Sequence, residues 1–343
     1  MKKTPDSSAD GPRSRAARIK AAIERFRQPS HPRAIWQLTN TLVPYLFLWF
    51  LMARLITVSY WLILPLALLA AGLRVRLFIF MHDCGHGSFV RSRRANTLIG
   101  WLTGLLTFTP YHHWTWEHAI HHRTSGNLER RGKGDIWTMT VEEYLNSPLW
   151  RRCAYRLLRN PAVLFAIAPT VLFVVLERFP SPQAGHRERL SVWLTNLALL
   201  LMAVGLSALI GFRSWFLIEL TMMVVAGGAG VWLFYVQHQF ADAYWTNQKD
   251  WDYTDAALQG SSFYKLPAIL RWFSGNIGFH HIHHLSPQIP NYQLQRCHNS
   301  DPLFGVAPTL TLGASFRSAT LRLWDEQRQR LIGFRLLRSH RSS

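Results

Sequence analysis

Residues 59–86 read SYWLILPLALLAAGLRVRLFIFMHDCGH, an apolar run that ends on two histidines four positions apart. The part 59–80 has the roughly 20 residues that a helix needs to cross the hydrocarbon core of a bilayer. A second such run, 38–57, precedes it with almost nothing between, so the two form a helical hairpin. Further apolar stretches cover 97–109, 161–176, 190–211 and 215–235, and a basic polar region fills 123–159. A hydrophobic content of 49% in 343 residues is ordinary even for a soluble protein. Segregation decides the class: a soluble core of this size has no room for several runs of about 20 apolar residues. The expected architecture is an all-α integral membrane protein.

The net charge of +19 is distributed to match. Lys2, Lys3, Arg13, Arg15, Arg18, Lys20, Arg25 and Arg27 stand among Ser, Ala and Pro without an apolar core, so this is no secretory signal. Residues 1–34 read as a disordered basic arm running into a short amphipathic helix near 18–26, attracted to anionic headgroups. Nucleic acid, the usual partner of a basic chain, is set aside because the positive charge flanks apolar spans. Arg91, Arg93 and Arg94 follow the hairpin, and Arg151, Arg152, Arg156 and Arg159 precede the next apolar run, which places the N-terminus in the cytoplasm. For histidines near 82–122 and 280–284 to meet on one face, an even number of spans must separate them. The stretch 161–176, short and interrupted by Pro169, is therefore expected in-plane or re-entrant, as is 97–109, leaving about four spans. The chain divides into the arm, a membrane and catalytic domain over 35–300, and a basic tail over 301–343. Cys84, Cys153 and Cys297 have no CxxC spacing, which argues against a disulfide framework or thiolate zinc site.

Three histidine clusters carry the chemistry: HDCGH (His82, His86), HAIHH (His118, His121, His122) and HHIHH (His280, His283, His284). Spacings of three and four place imidazoles on one helix face, so each cluster can aim at a common point. With 16 His in 343 residues a chance HxxHH triple arises about 0.03 times per chain, and two are present. Zinc takes four ligands and a mononuclear non-haem iron typically two His and a carboxylate, so eight or more imidazoles imply two ions. Imidazole suits iron, copper and zinc alike; iron is preferred because attack on an unactivated C–H bond needs metal and O2. Asp83, Glu117, Asp135 and Asp242 are the nearby carboxylates able to orient imidazoles through their second N–H. His112 and His113 fall outside the triples and read as packing residues, while Trp114, Trp116 and Trp137 read as interfacial belt residues.

These clusters resemble the three histidine boxes of membrane fatty acid desaturases. The surrounding text is similar to bacterial acyl-lipid desaturases: HHRTSGNLERRGKGDIWTMTVEEYL (121–145), FYVQHQFADAYW (234–245) and GSSFYKLPAILRWFSGNIGFHHIHHLSPQIPNY (260–292). The resemblance runs from about residue 80 to 292, and the first box has the shorter of the family's spacings. It implies a mushroom-like bundle of four spanning helices whose cytoplasmic cap holds two irons. It also implies that His82, His86, His118, His121, His122, His280, His283 and His284 are ligands, joined by His238, the isolated histidine after the last span. By the same resemblance Asn276 holds a water on one iron, and His281 supports the ligands from behind. The implied reaction is O2-dependent introduction of a double bond into a lipid acyl chain, in a cell membrane, with the site on the cytoplasmic side. No CxxCH, iron–sulfur cysteine set or GxGxxG occurs, so two electrons per turnover are expected from a separate ferredoxin, flavodoxin or cytochrome-like carrier. A lipid or carotenoid hydroxylase or ketolase could use the same site, with a product that gains oxygen rather than losing hydrogen. A non-catalytic metal-binding membrane sensor is the rival from another class.

Overall fold

The computed structural model describes residues 12–340, with side chains described for 17–337. The start of the basic arm and the end of the tail lie outside the described residues. Helix α1 (Pro12–Glu24) begins earlier than its sequence suggests. Ile19 and Ile23, four apart on one face, and Phe26 in the turn just past the helix are buried in one cluster with Leu258, Leu294 and Cys297.

The hairpin forms from α2 (His31–Leu55) and α3 (Tyr60–Gly85). The turn is closed by Ser59, whose hydroxyl accepts from the Trp61 amide. On α2 the outward face keeps Val43, Phe47 and Phe50 exposed, as lipid contact requires, while α3 is the buried centre of the bundle. Ala67, Ala70, Ala71 and Gly72 keep α3 narrow, and the Phe273 ring packs directly on Gly72. The helix continues five residues past Phe80, because nothing in MHDCG breaks it, and so carries His82 on the span itself.

Next come α4 (Arg93–Leu106) and α5 (Tyr111–Thr124), each 14 residues and thus about 21 Å, short of a crossing. Phe108, at φ 59°, reverses the chain between them. Two short helices, α6 (Val141–Asn146) and α7 (Leu149–Leu158), lead into the 161–176 stretch. That stretch forms a π-helical turn (Val163–Ile167), α8 (Ala168–Val174) and a 3-10 turn (Leu176–Arg178). It meets α7 at 62°. Both of its ends lie on the cap side: Arg159 donates to Gln239 and to the Leu321 carbonyl, and Ser181 donates to His113. The segment therefore enters and leaves by one face, as parity demands. Helices α9 (His186–Ile210) and α10 (Phe212–His238), joined by Gly211 at φ 83°, complete the bundle. With α2 and α3 they are, among the described residues, the four single helices long and apolar enough to cross a membrane.

The cap contains α11 (Tyr253–Gln259), α12 (Ala268–Phe273), α13 (His280–Leu285), α14 (Asn291–His298) and α15 (Leu312–Ser318). Two small sheets, absent from an all-α expectation, stitch it together. Strand β1 (Met139–Thr140) pairs in parallel with β4 (Leu323–Asp325), and β4 pairs antiparallel with β5 (Arg330–Ile332). Strand β2 (Phe263–Lys265) pairs in parallel with β3 (Thr309–Thr311). The stretch from 301, read from its charge as a tail, thus folds onto the cap and buries Leu323, Trp324, Leu331 and Ile332. Polarity alone hid those four residues, because strands of three give almost no period-two signal.

Candidate metal centre

Four elements deliver imidazoles to one buried place. The C-terminal ends of α3 and α10 bring His82, His86 and His238; α5 brings His118, His121 and His122; α13 brings His280, His283 and His284. The nine fall into two groups. His82, His86, His118, His122 and His283 form one, and His121, His238, His280 and His284 the other, with the potential ligand nitrogens of each group within 4.8 Å of one another. Every i, i+4 pair (82/86, 118/122, 280/284) stays within a group. Neighbours on a helix diverge by about 100°, so His121 and His122 point to different groups, as do His283 and His284.

The geometry fits metal. His283 Nε2 lies 3.0 Å from His82 Nε2 and 2.9 Å from His122 Nε2, and His122 Nε2 lies 3.0 Å from His118 Nε2. In the second group His238 Nε2 is 3.2 Å from His121 Nε2 and 2.9 Å from His280 Nε2. Metal–imidazole bonds of about 2.1 Å at right angles would set adjacent nitrogens about 3.0 Å apart. His86 Nε2 and His284 Nε2 are buried without a hydrogen-bond partner. Burial, reinforced by neighbouring imidazoles, pushes the proton affinities of His86, His118, His122, His280, His283 and His284 well below the ordinary histidine range. These rings are therefore neutral at physiological pH, each with a lone pair to donate.

Three rings have their tautomer set from behind. His82 Nδ1 donates to Asp83 Oδ1 at 3.0 Å, His121 Nδ1 to Asp135 Oδ1 at 2.6 Å, and His238 Nδ1 to the Gly260 carbonyl at 3.2 Å. Each bond leaves Nε2 as the inward lone pair. Asp83 is itself held: its Oδ2 accepts from the Asn291 amide at 2.7 Å and from Asn291 Nδ2 at 2.9 Å, and Asn291 Oδ1 accepts from Gln37. Asp135 is placed by a glycine-rich loop. Gly134 has φ 73°, and a Cβ there would stand 3.1 Å from His121 Cβ.

Other expected support residues sit elsewhere. Glu117, held above the usual carboxylate range by burial, shares its surroundings with His113, Glu177 and Lys133 rather than a clustered imidazole. Asp242, with 79% of its side chain exposed, faces Arg330 at 3.4 Å. Asn276 donates to the Asn291 carbonyl at 3.2 Å. His281, pushed down to about 3 by burial and by His298, turns away from both groups to meet His298 Nδ1 at 3.0 Å. His113 accepts from Ser181, a packing role. Two tryptophans leave the belt: Trp114 stacks on His118 with centroids 4.4 Å apart, and Trp137 packs edge-on against Tyr155 inside the cap. Trp116 carries Lys133 over its face. Asn291, the Gly260 carbonyl and Trp114 carried no motif that sequence reading could weight.

A four-span helical membrane protein with a buried nine-histidine centre, compatible with a di-iron site, is the class that this fold and geometry define. The fatty acid desaturase family profile matches residues 59–306. A fatty acid desaturase of Bacillus subtilis is 45% identical over 317 residues, covering 92% of this chain and 90% of its own. An sn-1 oleoyl-lipid 12-desaturase of a Synechocystis species is 28% identical, covering 70% and 68% of the two chains. An sn-1 acyl-lipid omega-3 desaturase (ferredoxin) of a Nostoc species is 29% identical, covering 68% and 66%. The chain belongs to the fatty acid desaturase family, and like its relatives it is an oxidoreductase.

Proposed function

We propose that the protein is an acyl-lipid desaturase of the cell membrane, acting at the cytoplasmic face on glycerolipid chains. The observation that carries this is the convergence of nine buried imidazoles in two groups with nitrogen spacings suited to metal. His82, His86, His118, His122 and His283 would hold one iron, and His121, His238, His280 and His284 the other. Bound there, the irons would supply O2-dependent oxidation of an unactivated methylene pair. The overall change removes two hydrogens from adjacent methylenes and, with O2, two electrons and two protons, yields a cis-chain or trans-chain alkene and two waters. Asp83 and Asp135 fix the rings of His82 and His121 in the tautomer that presents Nε2, and Trp114 holds His118 flat against its own ring. Apolar packing around the centre keeps bulk water from it. The electrons come from a separate carrier of ferredoxin type, in keeping with the ferredoxin named for the Nostoc relative.

The test is mass-spectrometric lipid analysis after expression in a host without desaturases, beside His283→Ala. New double bonds with the native chain and none with the variant support the reading. Hydroxylated or keto lipids instead, or unchanged lipids from iron-loaded protein supplied with reductant, overturn it.

A further inference from the structure

Away from the histidines, two guanidinium groups converge on one neutral atom. Arg33, in the first turn of α2, and Arg296, on α14, each donate to Gln293 Oε1 at 3.1 Å. Hydrogen bonding there is satisfied, but two positive charges share an oxygen that neutralises neither. A third strand of basic sequence is tied to the same place. The Tyr292 hydroxyl donates to the Phe89 carbonyl at 3.0 Å and accepts from the Ser30 amide at 2.8 Å. It thereby joins the start of α2 to the loop that carries Arg91 and leads into Arg93 and Arg94 at the start of α4. All five arginines are exposed, and among the described residues none of them forms an ion pair.

The level of this patch is set by its neighbours on α2. Ile35 and Trp36, within a turn of Arg33, are 61% and 67% exposed and begin the lipid-facing stripe that continues through Val43, Phe47 and Phe50. An exposed tryptophan at the start of a span marks the headgroup region. A water-soluble partner would have to enter the bilayer surface to cover Arg33, whereas a headgroup is already there. We propose that Arg33 and Arg296, bridged by Gln293 and flanked by Arg91, Arg93 and Arg94, form a binding site for the phosphate of an anionic bilayer phospholipid. Guanidinium forks match phosphate oxygens in pairs, which an amide cannot do for two arginines at once.

The experiment uses the full chain reconstituted in nanodiscs of mixed phosphatidylcholine and phosphatidylglycerol, followed by native mass spectrometry of the lipid retained after release. The native chain is expected to retain phosphatidylglycerol preferentially. Arg33→Gln with Arg296→Gln should lower that preference roughly fivefold for each arginine, or about 25-fold together. Arg33→Lys with Arg296→Lys keeps the charge but not the fork and reports whether the site tolerates substitution; it should retain more of the preference than the glutamine pair and less than the native chain. Arg130→Gln with Lys249→Gln removes the same charge elsewhere on the cap and should change nothing. The proposal fails if the native chain shows no preference, or if the control pair loses as much as the Arg33 and Arg296 pair. It fails equally if millimolar inorganic phosphate displaces the lipid, which would make this a free-anion site. A small acidic ferredoxin whose binding, in place of lipid retention, depends on Arg33 and Arg296 would assign the patch to a protein partner and overturn it too.

Discussion

Replacing Asp135 by alanine should loosen the four-imidazole group. The bond from His121 Nδ1 to Asp135 Oδ1 is 2.6 Å long, with both side chains buried, so it is a charge-assisted bond in a poorly screened place. Hydrogen bonds to charged groups contribute about 1.5–3 kcal/mol. Loss of such a partner behind a metal-bound histidine typically costs 10–100-fold in affinity, or about 1.4–2.7 kcal/mol. The two ranges agree, and the short distance favours their upper half. Asp135→Asn keeps an acceptor and should fall between the native chain and Asp135→Ala. Anaerobic titration of the metal-free protein with ferrous iron against a competing chelator reads the change directly. Asp242→Ala, which removes an exposed carboxylate facing Arg330, should leave the titration unaltered. If Asp135→Ala binds iron like the native chain, or no worse than Asp242→Ala, the idea that Asp135 works through His121 is refuted.

A Cβ at Gly228 would enter the Phe165 backbone carbonyl, whereas one at Gly230 meets only open space. Gly228→Ala should therefore push the re-entrant segment off α10, lowering stability by about 1–3 kcal/mol, while Gly230→Ala has little effect; equal melting temperatures for the two variants would contradict this packing. The depressed proton affinities of His86, His118, His122, His280, His283 and His284 set a pH dependence for the metal-free protein. Below the unfolded value of about 6.5 the unfolded chain binds more protons than the folded one, so stability is full above that pH and falls as pH drops, by up to about 1.36 kcal/mol per unit for each ring. Thermal scans of the metal-free form should be flat on the alkaline side of neutrality and decline under about pH 6.5; a melting temperature that holds or rises on acidification would show that these rings are not buried as bare bases.

The spans were legible because lipid leaves a helix no alternative to continuous apolar sequence. Their ends were not: α2 starts at His31 and α3 runs to Gly85, since a helix continues into polar sequence until something stops it. The nine histidines could be named from their boxes and the resemblance, and the structure brings those nine together. Their partition into five and four went unread, although the i, i+4 spacing contains it. Carboxylates were harder. Asp83 and Asp135 stand behind imidazoles and Asp242 does not, because closeness in sequence to a histidine says nothing about where Nδ1 points. Asp83 depends on Asn291, 208 positions away, a relation that only folding creates. The buried strands near the C-terminus were missed for a similar reason, being too short to show a period.

Gly211 and residues 56–59 are the whole of what joins the spans on the side away from the cap. With the cap on the cytoplasmic side, as proposed above, no folded unit has to be carried across the bilayer during biogenesis. Two hairpins can enter tip first, and the only strongly charged side chains near their tips are Arg54 and Arg213. Everything that must fold around the histidines lies on the cap side, and a protease or impermeant reagent confined to the opposite side would find little more than two tight turns to act on.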